Sequence, residues 1–171
     1  MKHKAHTLKQ VPPEKGHYIA GFVDGEGSFY ISARKRNDYL SGWKFTVHFS
    51  ISNGDKPVLE ICKKYLGCGT IRESRAGFYV LEVTDKQKLT TFIIPFFKKF
   101  GFLSNKKKAE FRIFQQALEA LERVIRSETE LHEFLVLRQK LNEFRKTRIT
   151  HTDDIILQSF RFLQESSETI R

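Results

Sequence analysis

With 171 residues, 40% of them apolar and 16 of them Phe, the chain is long enough for one domain with a real core, which excludes a disordered polypeptide. Its 30 Lys and Arg against 20 Asp and Glu leave a net charge of +10 and call for a polyanionic partner, nucleic acid first. No apolar run is long enough to span a bilayer and no basic amphipathic helix stands alone, so no membrane partner is expected.

Residues 1–11 read as a loose basic arm and 12–171 as one domain. Pro12-Pro13 offers a helix start, since proline is tolerated in a first turn, and the helix runs to about Asp24. Gly16, Ala20, Gly21 and Gly25 recur along it, and an interior glycine costs about 1 kcal/mol against alanine. Another backbone coming very close would explain that cost. The partner is either the chain's own sheet or a second helix, and the uninterrupted helical pattern favours the helix.

A strand of period two follows, with Phe29, Ile31 and Ala33 on one face and Ser28, Tyr30, Ser32, Arg34 and Arg36 on the other. A second strand repeats the alternation, Phe45, Val47, Phe49 and Ile51 against Lys44, Thr46, His48, Ser50 and Ser52. Asn53-Gly54-Asp55 breaks it, and Pro57 opens a short amphipathic helix ending at Gly67. A hairpin around Ala76-Gly77 offers Thr70, Arg72 and Ser74 on one face, with Tyr79, Leu81 and Val83 toward the core. A helix over about 86–100 carries Pro95 and a kink. Asn105 caps the next, through about Ile125, and Ser127 with Glu130 forms a capping box for a helix to about Phe144. A last helix spans roughly 154–163, so a helical extension begins near 127.

The order α-ββ-α-ββ-α plus helices predicts an α+β fold, a four-stranded antiparallel sheet with its apolar face under helices. The opposite face is cationic or hydrogen-bonding, which suits base edges in a major groove better than solvent alone. Cys62 and Cys68 follow no secretory signal and read as reduced intracellular thiols, while six scattered His give no zinc spacing.

The chemistry concentrates where an apolar helix stops on Asp24-Gly25-Glu26-Gly27 and a strand begins at once. An EF-hand loop starting at Asp24 would need Gly and Glu where Phe29 and Lys35 stand, and no Gly-Lys-Ser/Thr phosphate loop occurs. Acids at a helix C-terminus are disfavoured unless a cation or strong donors compensate, and a divalent metal answers that objection. Phosphodiester hydrolysis uses such a device. Three lysines, Lys106-Lys107-Lys108, likewise oppose the dipole of a helix start unless an anion docks there.

Ile19 to Gly27 resembles the nine-residue signature of the LAGLIDADG homing endonucleases, and the resemblance covers most of the chain. It implies that Glu26 binds the catalytic metal, with the Gly25 carbonyl beside it, and that Asp24 is structural near the helix junction. Asn53 fills the polar position after the second strand, Lys56 corresponds to the basic residue following it, and Lys106 to the active-site lysine, with Lys107 as rival. Those lysines would stabilise charge on the phosphorane, and Mg²⁺, or Mn²⁺ in its place, is the implied metal. A single motif copy implies a homodimer packed along the motif helix, through Gly16, Ala20, Gly21 and Asp24. The implied activity is Mg²⁺-dependent double-strand cleavage of a long pseudo-palindromic DNA target, across the minor groove with 3′ overhangs. Readout would fall to Tyr30, Ser32, Arg34, Arg36, Lys44, Thr46, His48, Ser50, Thr70, Arg72 and Ser74. The resemblance also implies an intron origin and an intracellular location wherever the host gene resides. An RNA maturase binding its intron and a non-catalytic DNA-binding regulator are the rival functions, and retention of Glu26 argues against the second.

Overall fold

The computed structural model describes residues 10–145 and 151–168, so most of the expected basic arm over 1–11 lies outside the described residues. Helix α1 (Pro13–Glu26) leads into β1 (Gly27–Lys35) and β2 (Trp43–Asn53), then α2 (Lys56–Leu66), β3 (Thr70–Arg75) and β4 (Phe78–Val83). A short α3 (Lys86–Lys88), a π-helical turn (Leu89–Ile93), α4 (Ile94–Phe100), α5 (Asn105–Ala120), α6 (Glu128–Glu143) and α7 (Asp153–Glu168) complete it. The strands form one sheet in the order β1-β2-β4-β3, with β4 antiparallel to both neighbours, as the α+β expectation required. Among the described residues no helix is long and apolar enough to cross a membrane.

Local chemistry accounts for the element ends. Proline at the first turn starts α1, and Gly27 ends it in extended backbone, with its N–H on the Val23 carbonyl. A Cβ at Gly27 would overlap the Val23 side chain and lie 2.6 Å from the Val23 carbonyl oxygen. Glycine is therefore what permits so abrupt a passage from helix to strand. Gly67 closes α2 in the left-handed region at φ 75°. The kink expected at Pro95 takes the form of the π-turn ahead of it, where the Ile94 N–H reaches back five residues to the Leu89 carbonyl. The cap of α5 is Ser104 rather than Asn105, its hydroxyl accepting the Lys107 N–H at 3.1 Å, and the helix stops at Ala120 rather than near 125. The Ser127–Glu130 capping box is fully formed at α6.

The chain gathers into two compact units, Met1–Phe29 with His48–Phe111, and Tyr30–Val47 with Arg112–Arg171. The first has a phenylalanine core. Phe29 meets Phe49, Phe97, Phe102 and Phe111 at centroid distances of 5.2–6.2 Å, with Leu59, Leu81 and Ile93 also buried. Edge-on aromatic contacts add about 0.5–1.5 kcal/mol per pair beyond burial. Cys62 and Cys68 are buried free thiols in this unit, and burial pushes both up to about 11. The second unit packs Trp43, Leu131, Leu135, Ile156 and Phe160 together. Arg138 from α6 reaches Asp153 and the His151 carbonyl there.

Candidate active site

The acidic end of the motif, Asp24-Gly25-Glu26, occupies the last turn of α1, within the first unit. Glu26 is exposed, and its carboxylate has no hydrogen-bond or ion-pair partner among the described residues. Gly25 is equally open, since a Cβ there would meet nothing within 4 Å. Asp24, two residues earlier, is fully engaged. Its Oδ2 accepts the backbone N–H groups of Leu103 and Ser104 at 2.9 and 2.8 Å, and its Oδ1 accepts the Ser104 hydroxyl. Burial pulls the Asp24 carboxyl upward, but these donors, with Lys107 behind them, outweigh it and hold it below the ordinary 3.8. Asp24 thus tethers the end of α1 to the start of α5, the structural role at the helix junction that the resemblance implies. The anion that the lysine-rich start of α5 requires is the chain's own Asp24.

Of the three lysines, Lys106 and Lys108 are exposed and Lys107 turns inward. The Lys107 ammonium donates to the Gly27 carbonyl at 2.6 Å and to Glu110 Oε2 at 2.7 Å. Glu110 Oε1 accepts the Phe29 N–H at 3.0 Å, so one carboxylate joins α5 to the start of β1. The side chains of this pair are only 6% and 3% exposed. The structure therefore brings Lys107, and not Lys106, to the motif. Glu110 was missed by sequence reasoning, although a signal existed. The apolar stripe Phe111, Phe114, Leu118 extended back by four residues passes through 107 and 110, marking both charged residues as inward.

The other expected catalytic residues are less concentrated. Asn53, at the end of β2, spends its side-chain oxygen on the Asp55 N–H at 2.8 Å, closing an Asx turn before α2. One lone pair of that oxygen and the side-chain NH2 are not used by this turn. Lys56 is half exposed in the first turn of α2, 3.8 Å from Glu60 and over the Tyr79 ring at 5.8 Å.

Two of the positions expected to face a second helix are turned inward instead. A Cβ on Gly16 would overlap the Phe100 ring, and Ala20 is 3% exposed, so both pack inside the chain. The close neighbour that Gly16 requires is α4. Gly21 has open space around it, and Tyr18, 53% exposed, stacks on Phe22 along the same outer face.

Among the expected DNA-reading residues of the first unit, Thr70, Arg72 and Ser74 are exposed on β3. His48 holds Glu82 at 3.1 Å, and Arg72 approaches the same carboxylate at 3.9 Å. Ser74 donates to the Phe78 carbonyl beside a bulge in the β3–β4 ladder. Ser50 is 7% exposed, which removes it from the set open to a groove. In the second unit Arg34 and Lys44 are exposed, and Ser32 and Thr46 half-buried. Tyr30 lies beneath the Arg145 guanidinium at 3.8 Å. Arg36 is held in a fork on Asp38, both bonds 2.7 Å, which uses two of its five N–H donors and leaves the Nη1 edge open.

No group of three or more His, Cys, Asp or Glu gathers anywhere among the described residues. A cation at this motif therefore has one carboxylate, backbone carbonyl oxygen and water to draw on from one chain. That donor set is hard-oxygen throughout and suits a sparsely ligated Mg²⁺ better than a soft metal.

Residues 19–118 match the family described as LAGLIDADG endonuclease. A homing endonuclease of Aeropyrum pernix, I-ApeII, is 28% identical over 109 residues, 63% of this chain and 64% of that protein. A probable intron-encoded endonuclease of Neurospora crassa is 32% identical over 108 residues, 61% of this chain and 24% of the other. The chain thus spans less than two thirds of both relatives. The archaeal intron-encoded homing endonuclease I-Vdi141I, solved with DNA, superposes with a TM-score of 0.80 at 27% identity, covering 89% of this chain and 98% of that one.

Proposed function

Because the chain belongs to the LAGLIDADG endonuclease family, we propose that it is a site-specific double-strand DNA endonuclease that works as a homodimer, with Glu26 as its cleavage carboxylate. The observation that carries this reading is the contrast within the motif. Asp24 is saturated by intrachain donors, whereas Glu26 stands exposed with no described partner. A carboxylate kept free at a helix C-terminus, against the local dipole, is one reserved for a cation.

Glu26 and the Gly25 carbonyl are the groups that would hold a divalent cation, Mg²⁺ by its preference for hard oxygen. Such an ion supplies charge neutralisation at a phosphodiester and a more acidic water. The chain's own contribution is positional. Asp24 and Ser104 fix the motif end against α5, and Lys107 brings a cation to Gly27, one residue beyond Glu26. Two of the Lys107 N–H groups are used by Gly27 and Glu110, which leaves the third for a substrate oxygen. DNA contact belongs to the exposed cations and hydroxyls of the strands, Arg34, Lys44, Thr70 and Arg72. The partner seam belongs to Tyr18, Gly21 and Phe22 on the outer face of α1, in place of Gly16 and Ala20.

The test uses supercoiled plasmid carrying the joined sequences that flank the reading frame. With Mg²⁺ the wild-type protein linearises it. Glu26→Gln binds the same duplex within about twofold in a gel shift and lowers cleavage by about 10³-fold or more, the scale lost when transition-state charge goes uncompensated. Undiminished cutting by Glu26→Gln removes Glu26 from the chemistry.

A further inference from the structure

We propose that Glu110 is a positioning residue for cleavage, holding the Lys107 ammonium beside the Gly27 carbonyl, and this rests on the nuclease reading above. The pair lies one helical turn apart on α5, so both side chains leave the same face. Lys106 and Lys108, each about 100° around the helix, leave it toward solvent. The pair is enclosed by aromatic rings. Lys107 Nζ lies 5.8 Å from the Phe29 centroid, and Phe111 sits 5.6 and 5.5 Å from Phe29 and Phe102.

A buried ion pair in such surroundings is a poor device for stability, because desolvating both charges offsets most of their attraction. An apolar pair would serve a core at least as well. What the charges supply is direction. The two oxygens of Glu110 are used differently, Oε2 on the ammonium and Oε1 on the Phe29 N–H. The carboxylate cannot swing without breaking one of the two bonds. The ammonium in turn is fixed by two acceptors, Gly27 O at 2.6 Å and Glu110 Oε2 at 2.7 Å, and its remaining N–H has a set direction. Glu110 carries the same sign of charge as a phosphate and has both oxygens engaged within the chain, so it is not a phosphate ligand. It acts through Lys107.

Glu110→Gln keeps the shape and an acceptor for the Phe29 N–H, and replaces the charged oxygen that accepts from the lysine with an amide N–H donor that cannot hold it. Single-turnover cleavage of the flank-carrying plasmid should fall about 10–100-fold, as for other residues that orient a reactive group from behind. Binding to the duplex in EDTA should stay within about twofold. Lys107→Met should lose at least as much, and the double variant should be no slower than Lys107→Met alone, because Glu110 has nothing left to position. Multiplying losses in the double variant, or a fall in binding that parallels cleavage, would make Glu110 structural and overturn the proposal. Should Glu110→Gln melt below the assay temperature, Glu110→Asp carries the test. It keeps the charge on a shorter arm, and slower cleavage with unchanged binding supports the proposal whereas wild-type cleavage sinks it. A wild-type protein that binds the plasmid and never cuts it overturns the nuclease reading and this proposal together. Wild-type cutting matched by Glu110→Gln overturns this one alone.

Discussion

Asp24 stands where a helix's own carbonyl dipoles make a carboxylate unwelcome, and it is stable there because another helix begins beside it. The Leu103 and Ser104 N–H groups and the Ser104 hydroxyl converge on it, so the end of α1 and the start of α5 satisfy each other. Its carboxyl is held below the ordinary 3.8, and the sign of the consequence follows. A carboxyl depressed in the folded state stabilises fully above the unfolded value and loses that contribution as pH falls through the folded one. Asp24→Asn should therefore destabilise by about 1–2 kcal/mol at pH 7, the scale of a lost charged cap. The difference from wild type should shrink as pH falls below about 4. Urea unfolding at pH 7, 5 and 3 measures both, and a difference that grows toward acid would contradict the assignment. Which acid and which lysine act was only half legible from the residues. Asp24 and Glu26 were marked by the motif, but the choice between Lys106 and Lys107 turns on a rotation of about 100° around α5. The Gly27 carbonyl, 80 residues away in sequence, is what places Lys107 beside the motif. Asn53 shows a local use that its strand-end position did not reveal, since its oxygen closes an Asx turn on the Asp55 N–H.

At the level of elements, strand faces, turn glycines and the α6 capping box were all legible, because each is set by neighbours within a few residues. Long-range close approach was not. The glycines of α1 look alike in sequence yet divide between two faces. Gly16 is pressed against Phe100, while Gly21 has nothing within 4 Å of a built Cβ and shares the outer face with the exposed Tyr18. This division makes opposite predictions for one substitution. Gly16→Ala should cost about 1–3 kcal/mol by overpacking, the Phe100 ring being wedged between Phe96 at 4.8 Å and His17 at 5.4 Å. Gly21→Ala in an isolated chain should gain about 0.5–1 kcal/mol of helix propensity. If α1 is the seam, that same Cβ thickens the interface, so Gly21→Ala should weaken the dimer while Gly16→Ala leaves association unchanged at temperatures where it folds. Chemical denaturation of dilute protein and sedimentation across a concentration series separate the two effects. Association untouched by Gly21→Ala would move the seam off this face.

At the scale of the whole molecule the decisive number is one: the 171 residues hold a single motif, and so a single Glu26. In the homodimer proposed above, two strands of a duplex would meet two chains related by a two-fold axis, and the target would inherit that symmetry. The 171 residues carry +10, and the proposed dimer would carry twice that, so affinity for DNA should fall steeply between 50 and 200 mM salt, by about 10³-fold or more if six or more phosphates are neutralised. Salt alone would not prove that the two sites act on separate strands. Mixed dimers do. Wild-type protein carrying one affinity tag and Glu26→Gln carrying another can be refolded together and purified through both tags, which yields assemblies with one competent carboxylate. These should convert supercoiled target plasmid to open circle at about half the wild-type nicking rate and accumulate no linear product. Agarose gels resolve the three forms directly. Linear product from the doubly tagged fraction, in excess of any wild-type dimer re-formed by exchange, would mean that one Glu26 serves both strands, and the one-carboxylate-per-strand division would fail.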